Sequence, residues 1–442
     1  MNVHNSNAAV NSRARTIFYT ATGILLAALL GGWLSLNRET IGFDGPGLIS
    51  FARLFGLLAG FSVLLQVFLM SRVPLVDQRF NLHEIVQLHR WNGYSIIVTI
   101  TLHILLVTLG YASLSESDLR SQFLELVTSY QDVFKALLAA GLIYFAVALS
   151  VGFARRNVPY EVWYYVHLTL YLAIALAFFH QINTGGDLVG TDWFKYYWLG
   201  LYVLSFGFLL YYRAFRIFFL SLKHDFRIEK VVKEADGIYS IYIGGRNIHK
   251  FSFESGQYAG WRLITPTTSL QSHPYSFSSL PGQTTLRFTI NEADGPFTKA
   301  IPTMKLGTRV LVDGPRGSFT ARRVATTQVV LIAGGIGVAP FISLIPDLLQ
   351  KGFKVHLLYA AHTPENVAFR RELSELESRG LHYELFVSSK NQRIDASILK
   401  RYEAVDTTFY LCGPPPMVSD LTSKLEELNV PKTQVVTEKF SI

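Results

Sequence analysis

Six stretches of this chain are apolar for roughly 20 residues or more, the length at which a helix crosses the hydrocarbon core of a bilayer. They run Ile17–Leu36, Leu48–Met70, Leu88–Tyr111, Val133–Phe153, Val162–Gln181 and Phe194–Leu220. Lipid offers no partner to a backbone N–H or C=O, so each stretch must satisfy its own, which makes them helices. The first is expected to be a span and not a removable leader, because no small-residue cleavage pattern follows Gly31-Gly32-Trp33. All six precede Leu222. Beyond it, short β-branched runs alternate with Gly, Pro and Asp turns, so a membrane half is followed by a water-soluble half.

Charge sets the expected orientation. Arg13, Arg15, Arg72, Arg79, Arg155, Arg156, Arg213 and Arg216 fall at ends that share one side if the spans zigzag, while the other loops carry Glu39, Asp44, Glu116, Asp118, Glu125, Asp187 and Asp192. Lys/Arg-rich ends stay inside. Both termini and the soluble half are therefore expected in the cytoplasm, in a multi-pass protein of the cell membrane. The formal charge of +8 is spread over both halves, and no polybasic block argues for nucleic acid. One cysteine, Cys412, excludes an internal disulfide framework.

Histidine inside a span is expensive and points to function. His89 and His103 lie 14 residues apart in the third stretch, and His167 and His180 lie 13 apart in the fifth. Under the zigzag, His89 is level with His167 and His103 with His180. At ~1.5 Å per residue each pair stands roughly 20 Å from the other, room for two planar cofactors. Facing imidazoles suit the two axial positions of an electron-carrying haem iron. A 14-residue step returns to nearly one helix face, whereas a 13-residue step is some 140° off. His83, beside Asp77, Arg79 and Glu84, is expected in a solvated loop.

Residues 223 to 322 read as short strands, Phe226–Val232, Ile238–Ile243, Gln257–Leu263, Leu286–Ile290 and Arg309–Asp313, expected to form a small antiparallel barrel. Residues 328 to 442 alternate strand and helix: Gln328–Ala333, a helix from Ala339, Val355–Ala360, a helix near Ala368–Ser378, Tyr383–Val387, Thr408–Cys412 and a helix from Met417. That pattern is a parallel sheet with a nucleotide crevice at its carboxyl edge. Gly334-Gly335-Ile336-Gly337-Val338-Ala339-Pro340 opens the first helix, and Cys412-Gly413-Pro414-Pro415-Pro416-Met417 makes a second such turn. Glycines there let backbone approach a pyrophosphate at a helix start.

These motifs, with His273-Pro274-Tyr275-Ser276-Phe277-Ser278-Ser279 and Asp294-Gly295-Pro296-Phe297-Thr298 ahead of them in order, resemble the ferredoxin-NADP reductase fold. Together with the paired histidines, the chain from the second span onward resembles the ferric reductase and NADPH oxidase superfamily, of the prokaryotic NADPH oxidase-like kind. The resemblance implies a multi-domain protein: a six-helix transmembrane bundle, an antiparallel β-barrel FAD domain and an α/β parallel-sheet nucleotide-binding domain. The expected limits are a cytoplasmic segment 1–16, a di-haem transmembrane domain 17–221, the FAD barrel 222–325 and the NAD(P)H domain 326–442.

The same resemblance implies roles. His89, His103, His167 and His180 would ligate two b-type haems. Tyr275 would pack on the isoalloxazine, Ser276 would bond near its reactive nitrogen, and Ser278, Gly295 and Thr298 would contact ribityl and phosphate oxygens. His273 and Pro274 stand where soluble reductases have Arg at the first position and the membrane oxidases have His-Pro. Gly334, Gly335 and Gly337 would cradle dinucleotide phosphates, Cys412 and Gly413 would lie beside the nicotinamide, and Phe440 would cover the flavin face. Ser388, Ser389, Lys390 and Arg393 follow the third strand of the parallel sheet, where hydroxyls and cations suit a 2'-phosphate, so NADPH is expected ahead of NADH.

The implied reaction carries electrons from NADPH through FAD and two haems to an acceptor beyond the membrane. Oxygen giving superoxide is expected first and a ferric chelate second; a haem-bearing scaffold or proton channel without turnover is the alternative from another class. No histidine lies outward of the haem ligands, unlike in the animal oxidases, and Arg38 and Arg53 lie near that mouth. Neither a calcium-binding loop nor a long regulatory insertion is evident, and oligomeric state is not legible.

Overall fold

A computed structural model describes residues 2–77, 80, 82–152, 158–265, 272–292, 296–402 and 404–439. Arg79, Arg155, Arg156, Asp294, Gly295 and Phe440, named above, lie outside the described residues. The chain divides into two compact units, one of Thr16–Val73 and Leu82–Tyr212, the other of Met1–Arg15, Pro74–Asn81 and Arg213–Ile442.

Six helices have segments long and apolar enough to cross a membrane. They are α1 (Asn2–Asn37), α2 (Gly45–Met70), α3 (Leu82–Ser115), α4 (Val133–Ser150), α5 (Tyr160–Thr184) and α6 (Asp192–Leu210). The chain of α6 continues through a π turn, Tyr211–Phe215, into a helical segment Arg216–His224. Sequence placed the six spans and erred at ends. Helix α4 stops at Ser150, where Val151 turns extended, short of the expected Phe153. His83 falls in the first turn of α3 and not in a loop. At the start of α2, Asp44 caps by accepting from Gly47 N at 3.0 Å, with proline in the first turn where a missing N–H costs nothing.

Lipid gives helices little hydrophobic reason to associate, so close packing and polar pins decide. Helix α2 lies tightly along α3. A Cβ added at Gly45 would stand 2.8 Å from Leu114 and 3.1 Å from Gly110 O, and one at Gly110 would stand 2.7 Å from Ile49. Asn92 donates to Ser62 O at 2.7 Å and Gln66 to His89 O at 2.8 Å, pinning the same pair. Helix α6 is tied to α5 through Gln181, whose Oε1 accepts from Trp198 at 2.9 Å and Tyr202 at 2.8 Å.

In the other unit, β1 (Arg227–Ala235) and β2 (Ile238–Gly244) form a hairpin across Asp236-Gly237, the glycine at φ +68° as a two-residue turn requires. With β5 (Leu286–Asn291) they make one three-stranded antiparallel sheet; β3 (Tyr258–Leu263), β4 (His273–Ser276) and β6 (Val310–Arg316) make a second, in order β4-β3-β6. Trp261, Phe277 and Phe288, each fully buried, fill the space between. Strand β4 is an addition to the sequence reading, which had its residues only as a motif. Its polar and proline-containing sequence suits an edge.

The remaining strands, β7 (Gln328–Gly334), β8 (Lys354–Ala361), β9 (His382–Val387), β10 (Thr407–Gly413) and β11 (Val435–Lys439), form a parallel sheet in the order β11-β10-β7-β8-β9. Chain direction of growth reverses between β7 and β10, the switch point where such sheets open a ligand crevice. Helices α7 (Ala339–Gln350), α8 (Arg370–Glu377) and α9 (Pro415–Glu427) cover it. Sheet and barrel are locked together: Ser343 of α7 lies 2.8 Å from Phe277 O and accepts from Gly256 N at 3.0 Å. Arg287 of β5 forks onto Glu372 of α8 at 2.6 and 2.8 Å.

Candidate functional site

The four membrane histidines come together in two pairs, and in the pairing expected from depth. Ring centroids lie 6.0 Å apart for His89 and His167 and 6.3 Å apart for His103 and His180. The 13-residue step on α5 does not prevent this. Helices α3 and α5 do not pack backbone to backbone as α2 with α3 or α4 with α5 do, so each ring reaches its partner across a gap. With metal–imidazole bonds of ~2 Å, two rings on one metal have centroids about 6 Å apart. Both pairs meet that spacing. Among the described residues no three His, Cys, Asp or Glu gather to hold a bare ion. A porphyrin brings four nitrogens of its own and asks the protein for two, which each pair can supply.

The surroundings of the four rings differ. His103 Nδ1 lies 2.7 Å from Ala52 O, which can only accept, so the proton sits on Nδ1 and Nε2 keeps its lone pair. The Nδ1 atoms of His89, His167 and His180 are buried without a partner. Trp163 stacks on His167 at 5.1 Å and donates to Ser150 Oγ at 3.0 Å. Of the two arginines near the expected outer mouth, Arg53 is paired with Asp187 at 3.3 Å, and Arg38, its side chain 75% exposed, lies 3.7 Å from Glu39.

On the barrel, β4 carries His273 to Ser276 into register with Trp261 to Tyr258 of β3. Trp261 donates to Tyr275 O at 2.9 Å and fixes the strand. Tyr275 stacks on Phe288 at 5.6 Å, His273 stacks on Phe297 at 4.0 Å, and burial pushes the Tyr275 phenol up to about 12. Ser276 Oγ and His273 Nε2 are buried with no partner, which is costly unless a ligand meets them. Ser278 differs from expectation. It is 1% exposed and its hydroxyl is taken up by Thr289 at 2.9 Å and Arg287 O at 3.3 Å, which leaves it in the barrel wall. Thr298 is buried in a short helix, Pro296–Ala300, that follows Gly295.

The two glycine turns stand back to back at the switch point. A Cβ on Gly337 would lie 2.2 Å from Cys412 O, and one on Gly334 or Gly413 would strike Met417 at 2.6 or 2.7 Å. These three glycines answer to each other's turn. Of the four glycines in these turns, Gly335 alone has both a positive φ, +53°, and open space around its missing Cβ. It is the one whose bareness faces outward, as a phosphate cradle needs. Cys412 is fully buried in the sheet core, and burial pushes its thiol up. Its side chain packs in that core.

Glu438 was missed. Parallel pairing of β10 with β11 sets it opposite Cys412. Its Oε2 is buried without a partner and burial pushes the carboxyl up to about 8. The available signal was the alternation of Val435-Val436-Thr437-Glu438 as a fifth strand ending at the same carboxyl edge. At the far end of that edge Ser388 Oγ meets His362 Nδ1 at 3.1 Å, joining the ends of β8 and β9, and Lys390 is exposed beside it. Arg393 instead lines a cavity of about 450 Å³ along β9, shared with Glu384 and Phe386.

Residues 55–178 match the family described as ferric reductase like transmembrane component, and residues 331–423 match the oxidoreductase NAD-binding domain. The reductase component of propane 2-monooxygenase from Rhodococcus jostii is 28% identical over 235 residues, covering 49% of this chain and 62% of that protein. A flavohemoprotein of Oceanobacillus iheyensis is 27% identical over 237 residues, covering 49% and 58%. This chain thus spans about three fifths of the curated relatives it matches. A ferredoxin NADP+ reductase from Neisseria gonorrhoeae, with bound FAD and NADP, aligns at 20% identity and a TM-score of 0.43 over 49% of this chain and 98% of that one.

Proposed function

Starting from a chain that joins a ferric reductase-like transmembrane segment to an FAD- and NAD(P)H-binding reductase half, the architecture of the ferric reductases and NADPH oxidases, we propose transmembrane electron transfer from cytosolic NADPH to an acceptor on the opposite face. The acceptor is O2, giving superoxide. The observation that carries the reading is the pair of imidazole spacings, 6.0 and 6.3 Å, at two depths of one helix pair. When bound, FAD converts the two-electron hydride of NADPH into single electrons and two haems conduct them. His89 with His167 and His103 with His180 would hold the haems, each pair supplying the two imidazoles that an electron-carrying iron takes from the protein. Tyr275 and Ser276 bind and orient the flavin, with His273 and Pro274 on the same strand and Gly295 and Thr298 toward its phosphates. Gly335, at the mouth of the turn from Gly334 to Gly337, receives the dinucleotide phosphates. Gly413 and Cys412 shape the wall behind the nicotinamide, Phe440 covers the flavin, and Ser388 with Lys390 receives the 2'-phosphate, Arg393 lying farther along β9. The domain limits are 17–221, 222–325 and 326–442, with both termini cytoplasmic.

A ferric-chelate reductase is the second reading, favoured by the exposed Arg38, which suits an anionic chelate. The test is NADPH consumption by detergent-solubilised protein under air and under nitrogen, with and without ferric citrate. Turnover in air, with a superoxide reporter silenced by superoxide dismutase, supports the oxidase. Turnover that requires iron supports the reductase, and a colourless protein that NADPH cannot reduce returns the chain to a scaffold or channel.

A further inference from the structure

We infer that Ala52 and Gly56 of α2 tune the outer haem by holding the imidazole of His103. The inference rests on the haem reading above and adds to it a pair of positioning residues that ligate nothing. Ala52 is fully buried and its carbonyl lies 2.7 Å from His103 Nδ1. Gly56 stands one helical turn further on. A Cβ there would come within 2.9 Å of the same nitrogen and 3.1 Å of Cε1, so a side chain at this position and the present ring pose exclude each other. One residue supplies the acceptor and the other the room.

The chemistry follows from the proton. An imidazole that donates from Nδ1 to a carbonyl is a stronger donor through Nε2. A stronger axial donor stabilises ferric over ferrous iron and lowers the potential, one of the levers by which a protein sets a haem. His180, across from His103, and both histidines of the other pair have buried Nδ1 atoms without any partner. Among the described residues, then, a hydrogen-bonded ligand occurs in the outer pair and not in the inner one, and the outer haem is the lower in potential of the two. A low potential at that end suits delivery to a weak one-electron oxidant.

The experiment is a spectroscopic redox titration of the full chain in detergent, comparing wild type, Gly56→Ala and Gly141→Ala. Gly141 on α4 has no atom within 4 Å of an added Cβ and serves as the control. Gly56→Ala is expected to keep two haems per chain and to shift the ferric-to-ferrous ratio of one of them about tenfold at fixed potential, ~59 mV upward, leaving the other unmoved. Gly141→Ala is expected to move neither. Unchanged midpoints in Gly56→Ala, or both moving together, overturn the inference. Should that variant lose its outer haem, wild type decides. In reduced, ¹⁵N-histidine-labelled protein one ring N–H is expected far downfield and protected from exchange, and four equivalent ring N–H signals overturn the assignment. A wild type with no haem sinks the functional reading; two haems without the asymmetry sink only this one.

Discussion

In the membrane half, four imidazoles project from two long helices with almost no polar neighbours, and their distances alone describe the site. In the reductase half, the corresponding groups sit at strand ends, where backbone, glycine turns and a buried carboxylate interlock. The difference follows from solvent. A helix in lipid satisfies its own backbone, so its few polar side chains stand out. A parallel sheet in water leaves its function to the loops at one edge, where packing and ligand binding compete for the same atoms. Substitutions in the first half should remove a cofactor and spare the fold, while those in the second should disturb both together.

The largest effect should come from His103→Leu or His180→Leu. Either is expected to lower haem content from two to one per chain and acceptor reduction by about 100-fold or more, while NADPH still bleaches the flavin. Pyridine haemochrome assay and flavin absorbance check it, and unchanged haem content would remove the distinction between the halves. Next is Gly337→Ala, whose new Cβ would lie 2.2 Å from Cys412 O. Overpacking of this kind costs about 3 kcal/mol. Gly335→Ala, burdened only by its φ, costs about 1 kcal/mol. Chemical unfolding of the two variants should rank them in that order, with nucleotide-driven flavin reduction failing first in Gly337→Ala. Glu372→Ala leaves the largely buried Arg287 without its forked partner, at a cost of about 2 kcal/mol, less than a fully buried pair because Glu372 is itself 37% exposed. Barrel and sheet of that variant should unfold in separate transitions, which calorimetry resolves.

The last of these effects is a pH dependence, spread over several pH units. With its folded carboxyl pushed up to about 8, Glu438 takes up a proton on folding at neutral pH. Its contribution is complete below the ordinary carboxyl range, about pH 4, and is lost as pH rises toward 8. The unfolding midpoint of wild type should fall over that window. Glu438→Gln should flatten this part of the profile, and a slope unchanged by the substitution would show that the carboxylate is solvated.

Hydropathy placed all six spans, and histidine depth paired the imidazoles even where ideal helical spacing did not. A side chain's reach across a gap is invisible to periodicity, which treats the helix surface as the destination. In the reductase half the two glycine turns were legible as turns. That Gly334, Gly337 and Gly413 are bare for each other's sake was not, because their contact joins strands some 80 residues apart in the chain, through pairing of β7 with β10. Cys412 reads as a neighbour of the nicotinamide by its place in a motif, but that its strand is buried on both faces, with the thiol packed in the sheet core, was not legible. Glu438 carried no motif, and only the register of β11 with β10 shows that it ends beside that thiol.

The burial of Cys412 has a practical side. As the only thiol in 442 residues and one with no exposed surface, it is silent toward reagents that attack from solvent. Spin labels or fluorophores can therefore be attached at cysteines introduced anywhere on the unaltered chain, and distances between the labelled sites measured without first deleting a native residue.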